Sequence, residues 1–126
     1  MAHRCPLGLP LGAVGLFLRT EEMGWPGQVL LHGGVHQDRQ LVPADFVALV
    51  PAETTPTARD HPDDQAYGLH CWPCSRDGAW RMDGIRGQFV IMLPQHRACL
   101  AVTADHDGPT TDILDAICQD LVPALG

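Results

Sequence analysis

Apolar and polar positions follow different patterns in the two halves of this chain. In the first half, glycine and proline interrupt the apolar residues, and the pattern predicts two helices. The first is expected to begin at Thr20, whose hydroxyl can cap it, and to run through Leu31 before stopping at Gly33-Gly34. Gly24, Pro26 and Gly27 disfavour its middle, so we expect a kink there or a late restart at Pro26. The second is short, opens at Pro43 and ends before Pro51.

The second half reads as a series of strands. Its segments are rich in aromatic and branched residues and are bounded by turn residues, which predicts strands over 66–71, 79–82, 87–93 and 98–104. The run Phe89-Val90-Ile91-Met92-Leu93 is apolar on both faces rather than alternating. Such a strand belongs in the middle of a sheet that is covered on each side.

Apolar residues then recur at three- and four-residue spacing over 110–123, which predicts an amphipathic helix capped by Thr110 or Thr111 and ended by Pro123. The predicted fold is therefore α+β, with an antiparallel sheet of three to four strands. The C-terminal helix packs on one face of the sheet. The fold also includes one or two helices from the N-terminal half. The single domain divides into a loop and helices (1–50), a surface loop (51–65), the strands (66–104) and the helix (110–123).

Composition excludes several classes of partner. The formal net charge is −7 and the pI is about 5.3, without a basic stripe, so we expect neither nucleic acid nor an anionic membrane surface as a partner. No apolar run reaches the roughly 18 residues of a membrane-spanning helix. Five cysteines make an odd number, which favours a reduced, cytoplasmic setting over a disulfide framework.

Residue types that are absent carry as much information as those present. The 126 residues include no lysine and no asparagine, and Ser75 is the only serine. A Ser-x-x-Lys nucleophile pair and a Tyr-x-Asn motif are therefore impossible within this chain. We predict no catalytic residue and no cofactor.

Six strings occur in a fixed order and together carry a family resemblance. They lie at 15–23, 27–34, 40–47, 67–72, 83–90 and 93–103. In this order they resemble the C-terminal portion of β-lactamase-like serine hydrolases, the superfamily of class C β-lactamases, D-alanyl-D-alanine carboxypeptidases and family VIII esterases. The resemblance implies a partial β-lactamase-like fold, with helices on one face of the sheet and a helical lobe on the other.

The same resemblance implies what is missing. The N-terminal half of such an enzyme supplies the nucleophile helix, most of the lobe and two further strands, so this chain is expected to be a C-terminal fragment that is inactive alone. The strand at 98–104 would lack its neighbour and leave an open edge. The expected partner is the missing N-terminal half or a second copy of the chain.

The resemblance also points to candidate substrate-binding residues. In the family, a Lys-Thr-Gly or His-x-Gly triad lines the acyl pocket, and Met82-Asp83-Gly84 matches it here, with Met82 in place of the cation. Arg81 or Arg86 is a possible substitute cation. The departure favours an ester or amide substrate over a β-lactam. The alternative interpretation is a tight turn that needs Gly84 and Gly87 for their conformation. The predicted substrate-binding residues are Met82, Asp83, Gly84 and Arg86.

Two further functions stay open as alternatives. One is a non-enzymatic interaction module that pairs through the exposed sheet edge. The other is a redox or metal protein built on Cys71 and Cys74, which have the spacing of a dithiol or of half a zinc site, with His70 adjoining. No helix follows Cys74 and no second Cys-x-x-Cys exists, so packing cysteines are the favoured interpretation.

Other polar clusters favour ordinary solvated surface. His32 and His36 are four residues apart, but the intervening glycines break the helix that would place them together. The acidic runs at 60–64 and 105–107 are expected to be solvated rather than to bind a cation. Ser75 has His70 and Asp77 nearby in sequence, but a triad needs a supported nucleophile assembled from separate segments.

Overall fold

The computed structural model describes residues 3–11, 15–76 and 78–126. Parts of the predicted N-terminal loop (1, 2 and 12–14) and Asp77 of the triad hypothesis lie outside these residues. The α-helices are α1 (Thr20–Leu31), α2 (Ala44–Leu49) and α3 (Thr111–Ala116). None of the helices in the described part of the chain is long and apolar enough to cross a membrane.

Eight short or medium strands form three antiparallel sheets in the part of the chain that the structure describes. They are β1 (Val35–His36), β2 (Arg39–Gln40), β3 (Thr55–Pro56), β4 (Ala66–Tyr67), β5 (Trp72–Pro73), β6 (Trp80–Gly84), β7 (Gln88–Leu93) and β8 (Ala98–Val102). The main sheet has the order β5-β6-β7-β8, while β1 pairs with β2 and β3 with β4. The predicted antiparallel sheet with a C-terminal helix is confirmed.

Helix α1 spans the predicted residues and contains Pro26, so it does not restart there, but its cap differs from the prediction. Arg19 occupies the N-cap position, and its backbone N–H donates to the Glu22 carboxylate at 2.7 Å. The hydroxyl of Thr20, which was predicted to cap the helix, lies instead 2.8 Å from that of Thr103. The side-chain contact therefore ties the start of α1 to the chain just beyond β8.

The main sheet separates two cores. On one face, Phe89, Ile91 and Leu93 of β7 pack with Leu114 and Ile117 from the C-terminal helical segment. On the other face, the core contains Val50, Cys71, Trp80, Val90 and Met92, with Met23, Leu30 and Leu31 from α1 packed against it. Every residue of β7 after Gln88 is buried, which confirms the prediction of a central strand covered on both sides.

Three elements differ from their predicted secondary structure. The predicted loop at 51–65 contains β3 and a 3-10 turn at Pro62–Asp64. Of the predicted strand at 66–71 only Ala66–Tyr67 forms a strand, β4, and it pairs with β3 instead of joining the main sheet. Leu69 and His70 interrupt the predicted strand because they adopt left-handed φ values of 46° and 64°. The predicted helix at 110–123 begins with α3 and continues as one π-helical turn, Ile117–Leu121. In this turn the Val122 N–H donates to the Ile117 carbonyl.

Candidate functional site

The candidate substrate-binding residues lie on β6 and in its turn to β7. Met82 pairs with Val90, Asp83 with Phe89 and Gly84 with Gln88. Because side chains alternate along a strand, Met82 and Asp83 point to opposite faces of the sheet. Met82 packs against the core beneath α1. The structure therefore does not bring the four predicted residues to one point.

Arg86 is held by carboxylates at the end of the sheet. It adopts a left-handed φ of 67°, and its guanidinium pairs with Asp105 and, at 2.7 Å, with Asp107. The acidic run at 105–107, predicted to be solvated, is thus exposed but neutralised in part by this arginine. In the turn itself, Gly87 has a positive φ of 91° whereas Gly84 does not, so the conformational need for glycine applies to Gly87 alone.

Arg81 is also unavailable to a substrate, because it is buried on the face opposite Met82. One guanidinium nitrogen donates to the main-chain carbonyl of Asp63 at 2.6 Å, and the other pairs with the carboxylate of Asp64 and, at 3.2 Å, with that of Asp83. The Arg81 side chain is 1% exposed. Neither arginine that sequence favoured as a substitute cation is free.

Trp72 completes a group that we call the arginine cluster. The cluster comprises Asp63, Asp64, Trp72, Arg81 and Asp83. The Arg81 guanidinium lies 5.5 Å from the Trp72 ring centre, and the indole N–H donates to Asp83 at 2.9 Å. The cluster joins the 3-10 turn at Pro62–Asp64 to the edge of the main sheet. Its connectivity is that of a structural clamp.

Burial and neighbouring charges have opposite effects on the pKa values of Arg81 and Asp83 in the arginine cluster. Burial raises the pKa of Asp83, while the Arg81 charge and the Trp72 hydrogen bond act to lower it. Burial acts to lower the pKa of Arg81, but Cys74, Asp83 and Asp64 outweigh it and raise that pKa above its usual value. The guanidinium therefore stays charged.

Asp63 and Asp64 are the residues that sequence reasoning missed. They were predicted to belong to a solvated acidic run, yet they are only 4% and 7% exposed. The correction has a physical cause: Pro62 and the His61 ring, which accepts from the Asp63 N–H at 3.2 Å, turn the chain inward toward Arg81. One signal was available, because Arg81 lies between the apolar residues Trp80 and Met82 in a predicted strand.

A groove adjoins the turn end of the candidate strand on the α1 side. It has a volume of about 310 Å³ and is lined by Leu16, Phe17, Leu18, Met23, Gln88 and Thr103. Gln88 is the register partner of Gly84, so the groove borders the predicted site, although none of the four predicted residues lines it. Its polar side chains, Gln88 and Thr103, are neutral. A groove of this character suits an uncharged, largely apolar group better than a carboxylate.

Ser75 does not have the surroundings that nucleophilic catalysis requires. It is exposed, and its backbone N–H donates to the Asp63 carboxylate. His70 is also exposed, and no hydrogen bond between the described atoms joins it to Ser75. Asp77, the third residue of the triad hypothesis, lies outside the described residues.

Cys71 and Cys74 pack on different sides of the sheet. Cys71 belongs to the core under α1, whereas Cys74 packs with the core under α3. Burial raises the pKa of each thiol from 9.0 to about 11. A redox dithiol needs the opposite shift. Within residues 3–11, 15–76 and 78–126, no group of three or more His, Cys, Asp or Glu side chains is placed to hold a metal ion.

The raised thiol pKa values make stability depend on pH. Below pH 9 both the folded and unfolded chains keep these protons. Between pH 9 and 11 the unfolded chain releases them and the folded chain retains them, so the free energy of unfolding should fall as pH rises. The slope reaches at most about 1.4 kcal/mol per pH unit for each thiol.

Urea denaturation across pH 8–11 measures this slope. A Cys71→Ala, Cys74→Ala double variant should show a shallower decline than the wild type. Parallel curves for the two proteins would contradict the assignment.

Comparison with known proteins identifies the fold. No family model and no curated protein matches this sequence. A solved structure described as "Putative 6-aminohexanoate-dimer hydrolase from Bacillus anthracis" superposes with a TM-score of 0.73 at 15% sequence identity. The match covers 95% of this chain and 31% of that one, so the chain spans about a third of the length of that structure.

The chain has an α+β fold that is part of a β-lactamase-like fold. This confirms the predicted fold class. It corresponds to about a third of the fold of that structure, and the likeness at 15% identity concerns the fold alone.

Proposed function

We propose that this chain forms the sheet wall of a β-lactamase-like serine hydrolase as its C-terminal portion, and that it is inactive alone. The observation that carries the proposal is the superposition of nearly the whole chain on 31% of a longer hydrolase-named structure. The sequence supports it, because the chain lacks lysine and so has no Ser-x-x-Lys pair. The remaining part of the fold would supply the nucleophile and its base.

The groove near the turn between β6 and β7 supports a proposal for the substrate class. Its two polar side chains are neutral, and Arg81 and Arg86 are both occupied by carboxylates. A substrate carboxylate would therefore find no free cation among these candidates. We propose an uncharged ester or amide substrate, with Met82 and Gly84 on the wall of the acyl site and Asp83 and Arg86 supporting it from outside.

The purified chain is expected to hydrolyse nitrophenyl esters and nitrocefin no faster than buffer does, because it lacks the nucleophile–base pair. The Ser75→Ala variant serves as the matched control and should give the same rate as the wild type. A saturable rate that Ser75→Ala abolishes would overturn the proposal.

A gain-of-activity experiment tests whether the missing part of the fold supplies the activity. The coding DNA upstream of Met1 should encode a Ser-x-x-Lys segment, in frame or after a single frameshift. A polypeptide that joins this segment to the chain should hydrolyse esters, and replacing the serine of that motif by alanine should abolish the activity. An upstream region without the motif would count against the proposal.

The alternative of an interaction module draws on a separate observation, the open edge of the main sheet at β8. A partner can use this edge only where the N-terminal half of the hydrolase does not cover it.

A further inference from the structure

The two edges of the main sheet differ in how well they are protected against pairing with another strand. One edge is β5, which has two residues and ends in Pro73. Proline and short length both discourage pairing with another strand. The other edge is β8, five uncharged residues without proline, Ala98-Cys99-Leu100-Ala101-Val102. It pairs only with β7 within the described residues.

The outer side of β8 is open. Apart from the ladder with β7, no backbone hydrogen bond among the described residues involves positions 98–102. The groups that point away from β7 thus have no backbone partner there. An uncharged five-residue edge of this kind is a template for strand addition.

We propose that a second copy of this chain covers this edge, with the two β8 strands antiparallel and Leu100 opposite Leu100. A two-fold axis perpendicular to the sheet produces this register. It places Ala98 opposite Val102 and Cys99 opposite Ala101, so that all five residues of β8 pair. The inference concerns the chain on its own. In a complete hydrolase a strand of the N-terminal half would cover the same edge, so the dimer and the complete enzyme exclude each other.

The side chains suit this register. Ala98, Leu100 and Val102 share the face that packs toward α3 and are only partly buried in one copy. In the pair, each meets an apolar residue of the second copy. On the other face, Cys99 and Ala101 are small and fit closely together. No like charges oppose one another within the paired residues.

Charges at the two ends of β8 are complementary. Arg97 immediately precedes the strand and is exposed, and none of the ion pairs between described residues includes it. Asp105 and Asp107 follow the strand and are 83% and 88% exposed, with Arg86 as their shared cation. Antiparallel pairing brings the start of one β8 to the end of the other. Arg97 of each copy can then balance the surplus carboxylate of its neighbour.

Helix α1 leaves room for the second copy. A side chain at Gly27 would meet Cys99 on β8 and both Val90 and Met92 on β7, so α1 lies between these two strands at this residue, whereas at Gly24 it lies over Ala101 of β8. With strands about 4.8 Å apart, the two α1 helices of a pair would be separated by about one and a half to two strand spacings, roughly 7–10 Å. Packed helices favour separations of about 8–10 Å.

Cross-linking reads the register directly. In a Cys5→Ala, Cys99→Ala background, the variant Leu100→Cys should form an intermolecular disulfide under mild oxidation, because residue 100 faces itself across the two-fold axis. Ala98→Cys and Val102→Cys serve as matched controls. Each alone should stay unlinked, but a mixture of the two should cross-link, since these positions oppose each other. Cross-linking of Ala98→Cys alone would overturn the register.

Light scattering tests the association without added thiols. The full chain should show about twice its mass of 13.7 kDa. The exposed substitution Arg97→Glu should weaken dimerisation by about tenfold, because it replaces attraction with repulsion at two symmetric sites. A monomer at high concentration, together with an unlinked Leu100→Cys variant, would sink this inference while leaving the activity test of the hydrolase proposal unaffected.

Discussion

Replacing Arg81 with methionine should lower the free energy of unfolding by about 3–5 kcal/mol, the range for breaking a buried ion pair by removing one partner. The substitution removes the guanidinium that bonds the Asp63 carbonyl and pairs with Asp64 and Asp83. Asp64 is 7% exposed and would remain buried without its main cation. Methionine fills most of the volume, so the loss reports the charge rather than a cavity.

Arg59 offers a matched control for this experiment. It pairs with the same Asp64 at 3.5 Å and lies 4.8 Å from the same Trp72 ring, but its side chain is 61% exposed. Solvent screens such a pair, and Arg59→Met should cost less than about 1 kcal/mol. The two arginines therefore share Asp64 and Trp72 as partners and differ in burial, and only Arg81 also contacts Asp63 and Asp83.

Urea denaturation of the wild type, Arg81→Met and Arg59→Met measures both losses. A second substitution, Asp64→Leu, added to Arg81→Met should recover part of the stability, since it removes the carboxylate left without its cation. Equal losses for the two arginine variants would show that the arginine cluster contributes no more than a surface ion pair.

The parts of the fold that sequence predicted are those specified by local patterns. Helix α1 has acidic residues in its first turn and Gly33-Gly34 beyond its end, and these signals act within a few residues. The central strand β7 was predictable because Phe89–Leu93 has no polar face. In both cases the local preference and the tertiary packing agree.

The parts that sequence did not predict depend on distant contacts or on unusual backbone. Asp64 meets Arg81 from 17 residues away, and nothing in the acidic run itself identifies that partner. The break in the strand at 66–71 arises from left-handed Leu69 and His70, which carry no glycine signal. The placement of Cys71 and Cys74 on opposite faces was easier to predict from the sequence, because residues three apart in an extended chain point to opposite faces.

The second large effect is expected at Gly27, where α1 meets the sheet. A β-carbon at this buried position would lie 2.5 Å from the sulfur of Cys99 and 2.6 Å from a methyl group of Val90. Both distances are too short for a real contact, so either α1 or the strands must move. Gly27→Ala should therefore destabilise the protein by about 1–3 kcal/mol, as overpacking does.

Gly24 provides the internal comparison because it lies one turn earlier in the same helix. A β-carbon there would meet only the Ala101 methyl group, at an ordinary 3.8 Å. Helix propensity then decides the outcome, and Gly24→Ala should stabilise by up to about 1 kcal/mol. The same chemical change in one helix should thus have opposite signs at two positions.

That difference in sign distinguishes packing from propensity. If helix propensity governed α1, both alanine variants would be more stable than the wild type in urea denaturation, and this result would contradict close packing at Gly27. Adding Cys99→Ala to Gly27→Ala should restore part of the lost stability, because it removes the sulfur that the new methyl group meets. Recovery would locate the contact between α1 and β8, the strand whose outer edge we propose pairs with a second copy.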